Sequence, residues 1–217
     1  MARKLLVWLH VVTSTGWMCM ALALFVVVNH ALENPAAFDV ALLIDVQVLQ
    51  FMATTSAFSG LMLSGLTPWG LFRHWWVAVK TVVTFTQLYV GIFVLSPNLH
   101  PGGSPTLTRV GSLPMASALA FQVWLSVAKP FGRTPWARPG KPPTASGRAF
   151  VACLVVPAAD YALDQFVLGL PVPALSLLVV VVFPLVRALR RKPARRVADR
   201  KPVRATRPDG PIGRGGD

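Results

Sequence analysis

Two ionisable side chains lie inside long apolar stretches of this chain. His10 follows LLVWL near the N-terminus, and Lys80 follows WWVAV in the third apolar stretch. An ionisable group in a bilayer is costly, and it usually faces a bundle interior or a water-filled cavity. A neutral imidazole can ligate iron, and an ammonium can neutralise a carboxylate. The two residues therefore predict a polar site within an apolar protein.

Further polar residues recur at helical spacing in the first three apolar stretches. The first stretch carries a stripe of His10, Thr13, Ser14 and Trp17. One face of the second carries Asp45, Met52, Ser56, Gly60 and Ser64. The third has a stripe at i, i+4, i+7 and i+11, namely Lys80, Thr84, Gln87 and Gly91. Small residues four apart let helices approach closely, so the first three helices are predicted to face each other.

Depth limits which of these groups can meet. His10 and Lys80 each lie about five residues inside the same end of the bundle, roughly 8 Å at 1.5 Å per residue. Asp45 lies a similar distance from the opposite end. A direct ion pair between Lys80 and Asp45 is therefore not expected, whereas His10 and Lys80 are level.

Each polar residue also has a purely structural explanation. Lys80 can keep its methylenes in lipid while its ammonium reaches the headgroups beside the adjacent tryptophans. His10 can form a hydrogen bond between helices, and Gln87 and Gln122 can do the same. These explanations stay open beside the site hypothesis.

Two carboxylates lie in the fifth apolar stretch. Asp160 and Asp164 are four residues apart and share a helix face. They are either protonated or mark a segment that dips into the membrane rather than crossing it. With Asp45 and Lys80 they could in principle form a proton or cation path, but no inverted repeat of the kind found in many secondary transporters is visible.

The composition predicts a membrane protein. The hydrophobic fraction is 54% against 13% charged residues, and the mean hydropathy is +0.57. A membrane-crossing helix needs about 20 apolar residues. We therefore predict an all-α, polytopic transmembrane helix bundle of about six helices. The predicted helices cover residues 5–28, 40–66, 75–95, 113–128, 149–170 and 172–188.

These segments suggest four parts. Residues 1–134 form a four-helix transmembrane unit, residues 135–148 a basic Pro-rich cytoplasmic loop, and residues 149–188 a C-terminal transmembrane hairpin. Residues 189–217 form a basic tail with almost nothing apolar, which predicts disorder. The first helix resembles a signal peptide at its start, but its apolar run is too long, so it is predicted to be retained.

The net charge of +13 follows from the same organisation, because 11 of the 21 basic residues lie between Arg187 and Arg214. Basic loops stay on the cytoplasmic side, and this rule predicts that both termini are cytoplasmic. Arg109 is the one basic residue in a loop that this arrangement puts on the opposite side. The expected location is the bacterial inner membrane. The expected partners are the lipid bilayer, anionic headgroups at the tail, and a second copy or a membrane-complex partner. Nucleic acid is not expected, since no aromatic platform accompanies the charge.

Metal-binding and soluble-enzyme motifs are not found in the sequence. Consecutive helical residues point about 100° apart, so Met18, Cys19 and Met20 cannot converge on one copper ion. There is no phosphate-binding loop and no nucleophile elbow. The sequence therefore leans away from an enzyme and predicts no metal site.

Short motifs nonetheless resemble those of one known group. The pattern LH, six residues, then W at His10 and Trp17, and the pattern W, four residues, then K at Trp75 and Lys80, are similar to CopD-like copper-resistance proteins and the bacterial membrane protoporphyrinogen oxidase. With KPFGRT at 129–134, they are more similar still to uncharacterised actinobacterial integral membrane proteins. The resemblance covers about residues 5–134.

The resemblance implies a four-helix unit that binds haem b. His10 would be the axial ligand, and Lys80 would pair with a haem propionate or an anionic substrate. No second histidine lies inside a helix, and the arginine that the oxidase carries in its first helix is missing, so oxidase activity is not expected. We predict a non-enzymatic binding or small-solute-handling membrane protein with no cofactor, and as the alternative a haem-b-binding redox protein using His10.

Overall fold

The fold was analysed in a computed structural model that describes residues 1–100, 102–137, 140, 143–168 and 173–189. The predicted disordered tail therefore lies outside the described residues, apart from Leu189, which ends the last helix. Part of the predicted basic loop, including Arg138 and Lys141, also lies outside them.

The described residues form six helices and no strand, which confirms the predicted all-α class. The first four helices are α1 (Ala2–Ala31), α2 (Ala37–Leu66), α3 (Trp75–Leu99) and α4 (Pro105–Ala128). The last two are α5 (Gly147–Leu163), continued by a π-helical turn at Asp164–Leu168, and α6 (Ala174–Leu189). Two further π-helical turns interrupt α2 at Asp45–Leu49 and α3 at Gly91–Leu95.

The predicted start of the fourth helix is wrong by about two turns. Proline lacks only an N–H that the first helical turn leaves unpaired anyway, so Pro105 begins α4 without loss. Pro114 is accommodated within the helix. Arg109 consequently lies in α4 and not in the predicted loop between the third and fourth helices.

Four helices, α1 to α4, are long and apolar enough to cross a membrane. In their most apolar windows only 28%, 28%, 17% and 33% of the residues are buried within the protein. Large aliphatic side chains point outward instead, among them Val127 at 79% and Val82 at 64% exposure. A soluble monomer rarely exposes such continuous apolar surface. For α5 and α6 the predicted crossings stay predictions.

The four long helices form a ring. α1 packs most extensively against α4 and α2, and α3 contacts α2 and α4 more sparingly. Within the described residues, α1 and α3 lie diagonally across this ring and do not pack extensively against each other. The expectation that the first three helices face each other therefore holds for α1 with α2 and for α2 with α3, but not for α1 with α3.

The C-terminal helices share the core of the four-helix ring. α5 contacts α1 and α2, and α6 contacts α2. Phe150 and Cys153 of α5 and Val180 of α6 lie in the same buried apolar cluster as Leu6 and Trp17 of α1. The predicted hairpin is thus packed against the ring instead of standing apart from it.

Candidate functional site

A cavity of about 460 Å³ lies between α1, α2, α3 and α4, at the end of the bundle where α1 begins. We call it the His10–Lys80 cavity, because both residues line it. Its wall contains no aspartate or glutamate among the described residues. The other polar groups on the wall include Arg3, Ser14, Thr84, Gln122 and Ser126. The cavity is therefore lined by apolar side chains, hydroxyls, one amide and three permanent or potential cations, Arg3, His10 and Lys80.

The hydrogen bonds of His10 fix its tautomer. Nδ1 lies 3.0 Å from the carbonyl oxygen of Ser56 and 3.1 Å from Oγ of Ser59. A carbonyl oxygen only accepts, and the Ser59 hydroxyl already donates to the carbonyl oxygen of Thr55 at 2.6 Å. Nδ1 must therefore carry the proton in the neutral ring, which leaves the lone pair on Nε2. No described residue forms a hydrogen bond with Nε2.

Small residues on α2 make room for this imidazole. A Cβ atom at Gly60 would lie 2.8 Å from Cε1 of His10, so the ring occupies the space that glycine leaves. One turn away, the hydroxyls of Ser14 and Ser56 are 2.7 Å apart. The small-residue series predicted on the second helix thus serves as the surface on which the polar stripe of α1 packs.

Lys80 bonds across the ring to α4. Its Nζ donates to Oγ of Ser126 at 2.6 Å, and Ser126 donates in turn to the carbonyl oxygen of Gln122 at 2.9 Å. The ammonium is thus directed into the space between helices. No acidic side chain is bonded to it within the described part of the chain.

The rest of the α3 stripe also pairs with α4. Oγ1 of Thr84 donates to Oε1 of Gln122 at 2.9 Å, and Nε2 of Gln122 donates to Oε1 of Gln87. Nε2 of Gln87 then donates to the carbonyl oxygen of Met115 at 2.9 Å. These amides act as hydrogen-bonding links between helices, one of the structural roles considered for them above.

Two loops, residues 67–74 and 129–134, meet at the end of the His10–Lys80 cavity that Thr67 and Trp69 line, which we call its mouth. Trp69 and Trp76 line the cavity and contact each other edge to face. The ammonium of Lys129 lies 5.3 Å from the Trp69 ring centre, a cation–π distance. The KPFGRT segment is held by Thr134, whose N–H donates to the carbonyl oxygen of Arg73 at 2.9 Å. The segment therefore positions the tryptophans at the mouth.

Asp45 lies elsewhere, in a second cavity of about 170 Å³. Asp45 is 4% exposed, and its Oδ2 accepts a hydrogen bond from Oγ of Ser96 at 2.6 Å. We call this space the Asp45 cavity. Trp17 lines both cavities and forms part of the wall between them. Asp45 and Lys80 therefore belong to different sites.

Asp160 has a structural partner that the sequence did not reveal. Its Oδ1 and Oδ2 accept the backbone N–H groups of Leu175 at 3.0 Å and Ser176 at 2.7 Å. N–H groups in the first turn of a helix have no acceptor within that helix. The Asp160 carboxylate on α5 therefore caps the N-terminus of α6. Asp164 is also buried, and its Oδ2 has no hydrogen-bond partner among the described residues.

Among the described residues there is no group of three or more His, Cys, Asp or Glu side chains that could hold a metal ion. Arg3, Trp69 and Ser126 line the His10–Lys80 cavity and were not identified from the sequence as site residues. A signal for Ser126 was present, because it lies four residues after Gln122 in the apolar second half of α4.

The chain matches no protein-family model, no curated protein and no solved structure. The similarity to CopD-like proteins and to the membrane protoporphyrinogen oxidase therefore stays a prediction from short motifs.

Proposed function

We propose that this chain is a multi-pass integral protein of the bacterial plasma membrane that binds a small amphipathic anion, such as an organic carboxylate, in the His10–Lys80 cavity. It acts as a binding or solute-handling component and not as an enzyme. Its N-terminus is cytoplasmic in this proposal, because Arg3 and Lys4 precede α1 and basic residues flank the other helix ends on that side.

The observation that carries the proposal is the state of Lys80. Its ammonium faces a cavity with only a neutral hydroxyl as its bonded partner among the described residues. An unpaired charge in a low-dielectric site is costly, and an anion on the ligand removes that cost. Arg3 on the same wall adds a second positive charge. A volume of about 460 Å³ is in the range of small-molecule pockets.

A thermal-shift panel on the protein purified in mild detergent tests the proposal. Aromatic and short-chain carboxylates are compared with their neutral methyl amides, on wild type, Lys80→Met and Lys80→Arg. We expect carboxylates and not amides to raise the Tm of the wild type, Lys80→Arg to retain part of the shift, and Lys80→Met to lose it. Equal shifts with acid and amide, or in Lys80→Met, would contradict the proposal.

A second candidate is a haem-b-binding redox protein, which the tautomer of His10 favours. Nε2 of His10 carries a lone pair, and His10 lines the same cavity as Lys80. These residues fit a group that needs one imidazole ligand and one cation for a propionate. The described wall offers no second His, Met or Cys as a further axial ligand. When bound, haem would supply one-electron chemistry, while His10 holds it and Lys80 orients its carboxylate.

An absorption spectrum separates the two candidates. The protein is expressed with haem available, purified, and measured oxidised and reduced beside His10→Ala. A Soret band that shifts on reduction and is lost in His10→Ala would favour haem. A colourless, folded protein would leave the anion-binding proposal.

A further inference from the structure

We propose that the Asp45 cavity is a second binding site, which takes a monovalent alkali-metal cation. The proposal rests on a buried carboxylate that lines this cavity together with hydroxyl groups that already donate their hydrogens to other protein atoms. It is independent of the ligand in the His10–Lys80 cavity.

Two helix irregularities meet at this cavity. Asp45 begins the π-helical turn of α2, and Ser96 directly follows the π-helical turn of α3. Their side chains are joined by the 2.6 Å hydrogen bond from Ser96 to Asp45. Leu49 of the first turn and Gly91 of the second also line the cavity. π-Helical turns often occur at functional sites, and here two of them flank one carboxylate.

The hydroxyl groups of the residues on the wall already donate their hydrogens to other protein atoms. Oγ1 of Thr54 donates its hydrogen to the carbonyl oxygen of Gln50 at 2.7 Å. Oγ1 of Thr108 donates to the carbonyl oxygen of Leu95 at 3.1 Å. The Ser96 hydroxyl donates its hydrogen to Oδ2 of Asp45. A hydroxyl that has donated its only hydrogen can act toward a ligand only as an acceptor.

The amide of Gln87 completes this pattern. Its Nε2 donates to Met115, and its Oε1 accepts from Gln122 and keeps a second lone pair. Trp17 and Gln50 are the other wall residues whose side chains carry N–H donors among those described. The described wall is mostly apolar, and its polar groups are one carboxylate with hydroxyl and amide oxygens, the kind of ligand that a hard cation binds.

The charge and the volume select a monovalent ion. Asp45 is the one acidic residue among the described lining, and no described basic residue forms an ion pair with it, although His100 lies within electrostatic range. One carboxylate with neutral oxygens balances a single positive charge, whereas dedicated calcium sites draw on several carboxylates. The volume of about 170 Å³ accommodates one cation with a few waters, at about 30 Å³ each.

The test is cation-dependent thermal stability of the full chain in non-ionic detergent. NaCl, KCl and LiCl are each titrated against N-methyl-D-glucamine chloride at constant ionic strength. The variants are wild type, Asp45→Asn and the control Asp39→Asn, which removes an exposed carboxylate from the same helix. We expect a saturable rise in Tm with at least one alkali cation in wild type and in Asp39→Asn, and none in Asp45→Asn.

Two further variants keep the proposal testable if Asp45→Asn does not fold. Thr54→Val and Thr108→Val retain the carboxylate and each remove one oxygen ligand, so we expect an apparent affinity about tenfold weaker, equivalent to about 1.4 kcal/mol. His10→Ala and Lys80→Met should keep the full cation response, which separates this site from the anion site. A wild type whose Tm does not change when alkali cations replace N-methyl-D-glucamine, or threonine variants with unchanged affinity, would overturn the proposal.

Discussion

Nδ1 of His10 lies 3.0 Å from the carbonyl oxygen of Ser56, and the same ring fills the space above Gly60, where a Cβ atom would come within 2.8 Å of Cε1. One turn of α2 thus sets both the tautomer and the position of the imidazole. The ring is held by a backbone acceptor on α2 and by the space that glycine leaves, so its position depends on few rotatable bonds.

Gly60→Ala is predicted to displace the imidazole. The added methyl group overlaps a ring packed against α2, which costs about 1 to 3 kcal/mol of stability. Carboxylate-dependent thermal shifts should weaken as well. The control is Gly91→Ala, whose Cβ would meet only Cε of Met115 at 3.9 Å, an ordinary contact. Equal stability of the two variants in a denaturant titration would show that the ring is not confined as described.

The Gln87 and Gln122 side chains are predicted to be energetically coupled. Each single Leu substitution removes the hydrogen bond between the two amides and leaves one buried polar atom of the other amide unpaired, at about 1 to 3 kcal/mol. The remaining amide keeps its bond to Met115 or Thr84, and the double substitution removes both amides. The double variant should therefore be less destabilised than the sum of the singles, by about 0.6 to 1.7 kcal/mol. Unfolding in mixed micelles measures all three variants. Strict additivity would mean that the two amides do not interact.

Asp160 is predicted to stabilise the start of α6. Asp160→Ala removes the acceptor of two backbone N–H groups, and we expect a loss of about 1 to 2 kcal/mol. Amide hydrogen exchange should accelerate at Leu175 and Ser176. Asp39→Ala, at an exposed site on α2, serves as the control and should leave those two amides protected. Unchanged exchange in Asp160→Ala would contradict the capping role.

Thr134 is predicted to hold the loops at the cavity mouth together. Its hydroxyl donates to the carbonyl oxygen of Phe72 at 2.6 Å. Thr134→Val keeps the shape and loses this bond, so exchange of the Trp75 amide, which donates to Gly132, should become faster. Thr81→Val is the control, because the Thr81 hydroxyl bonds only within its own helix, to Val77. Equal exchange of the Trp75 amide in both variants would contradict this role of Thr134.

The number of helices could be predicted from the sequence because apolar run length and proline-containing breaks are local properties. The depth of His10 and Lys80 followed from position along their helices, and the structure brings both to one cavity. The start of α4 was misjudged, since proline is tolerated in a first helical turn and Thr106 to Gly111 are not strongly apolar.

Helix neighbours could not be predicted in the same way. The Lys80 stripe indicates that α3 has a polar face, but periodicity does not say which helix meets it, and the partner is Ser126 on α4. The role of Asp160 was hidden for a similar reason, because its partners are backbone groups of the following helix. In both cases the missing information is a tertiary contact and not a residue type.

The central claim, that Lys80 holds an anion inside the helix bundle, is tested most directly by native mass spectrometry. The carboxylate with the largest thermal shift is added to wild type, to Lys80→Met, and to Val82→Met, a control on the exposed face of the same helix. The account predicts one bound carboxylate per chain in wild type and Val82→Met and none in Lys80→Met. Equal adducts in all three proteins would show that the ligand partitions into the micelle and would contradict the claim.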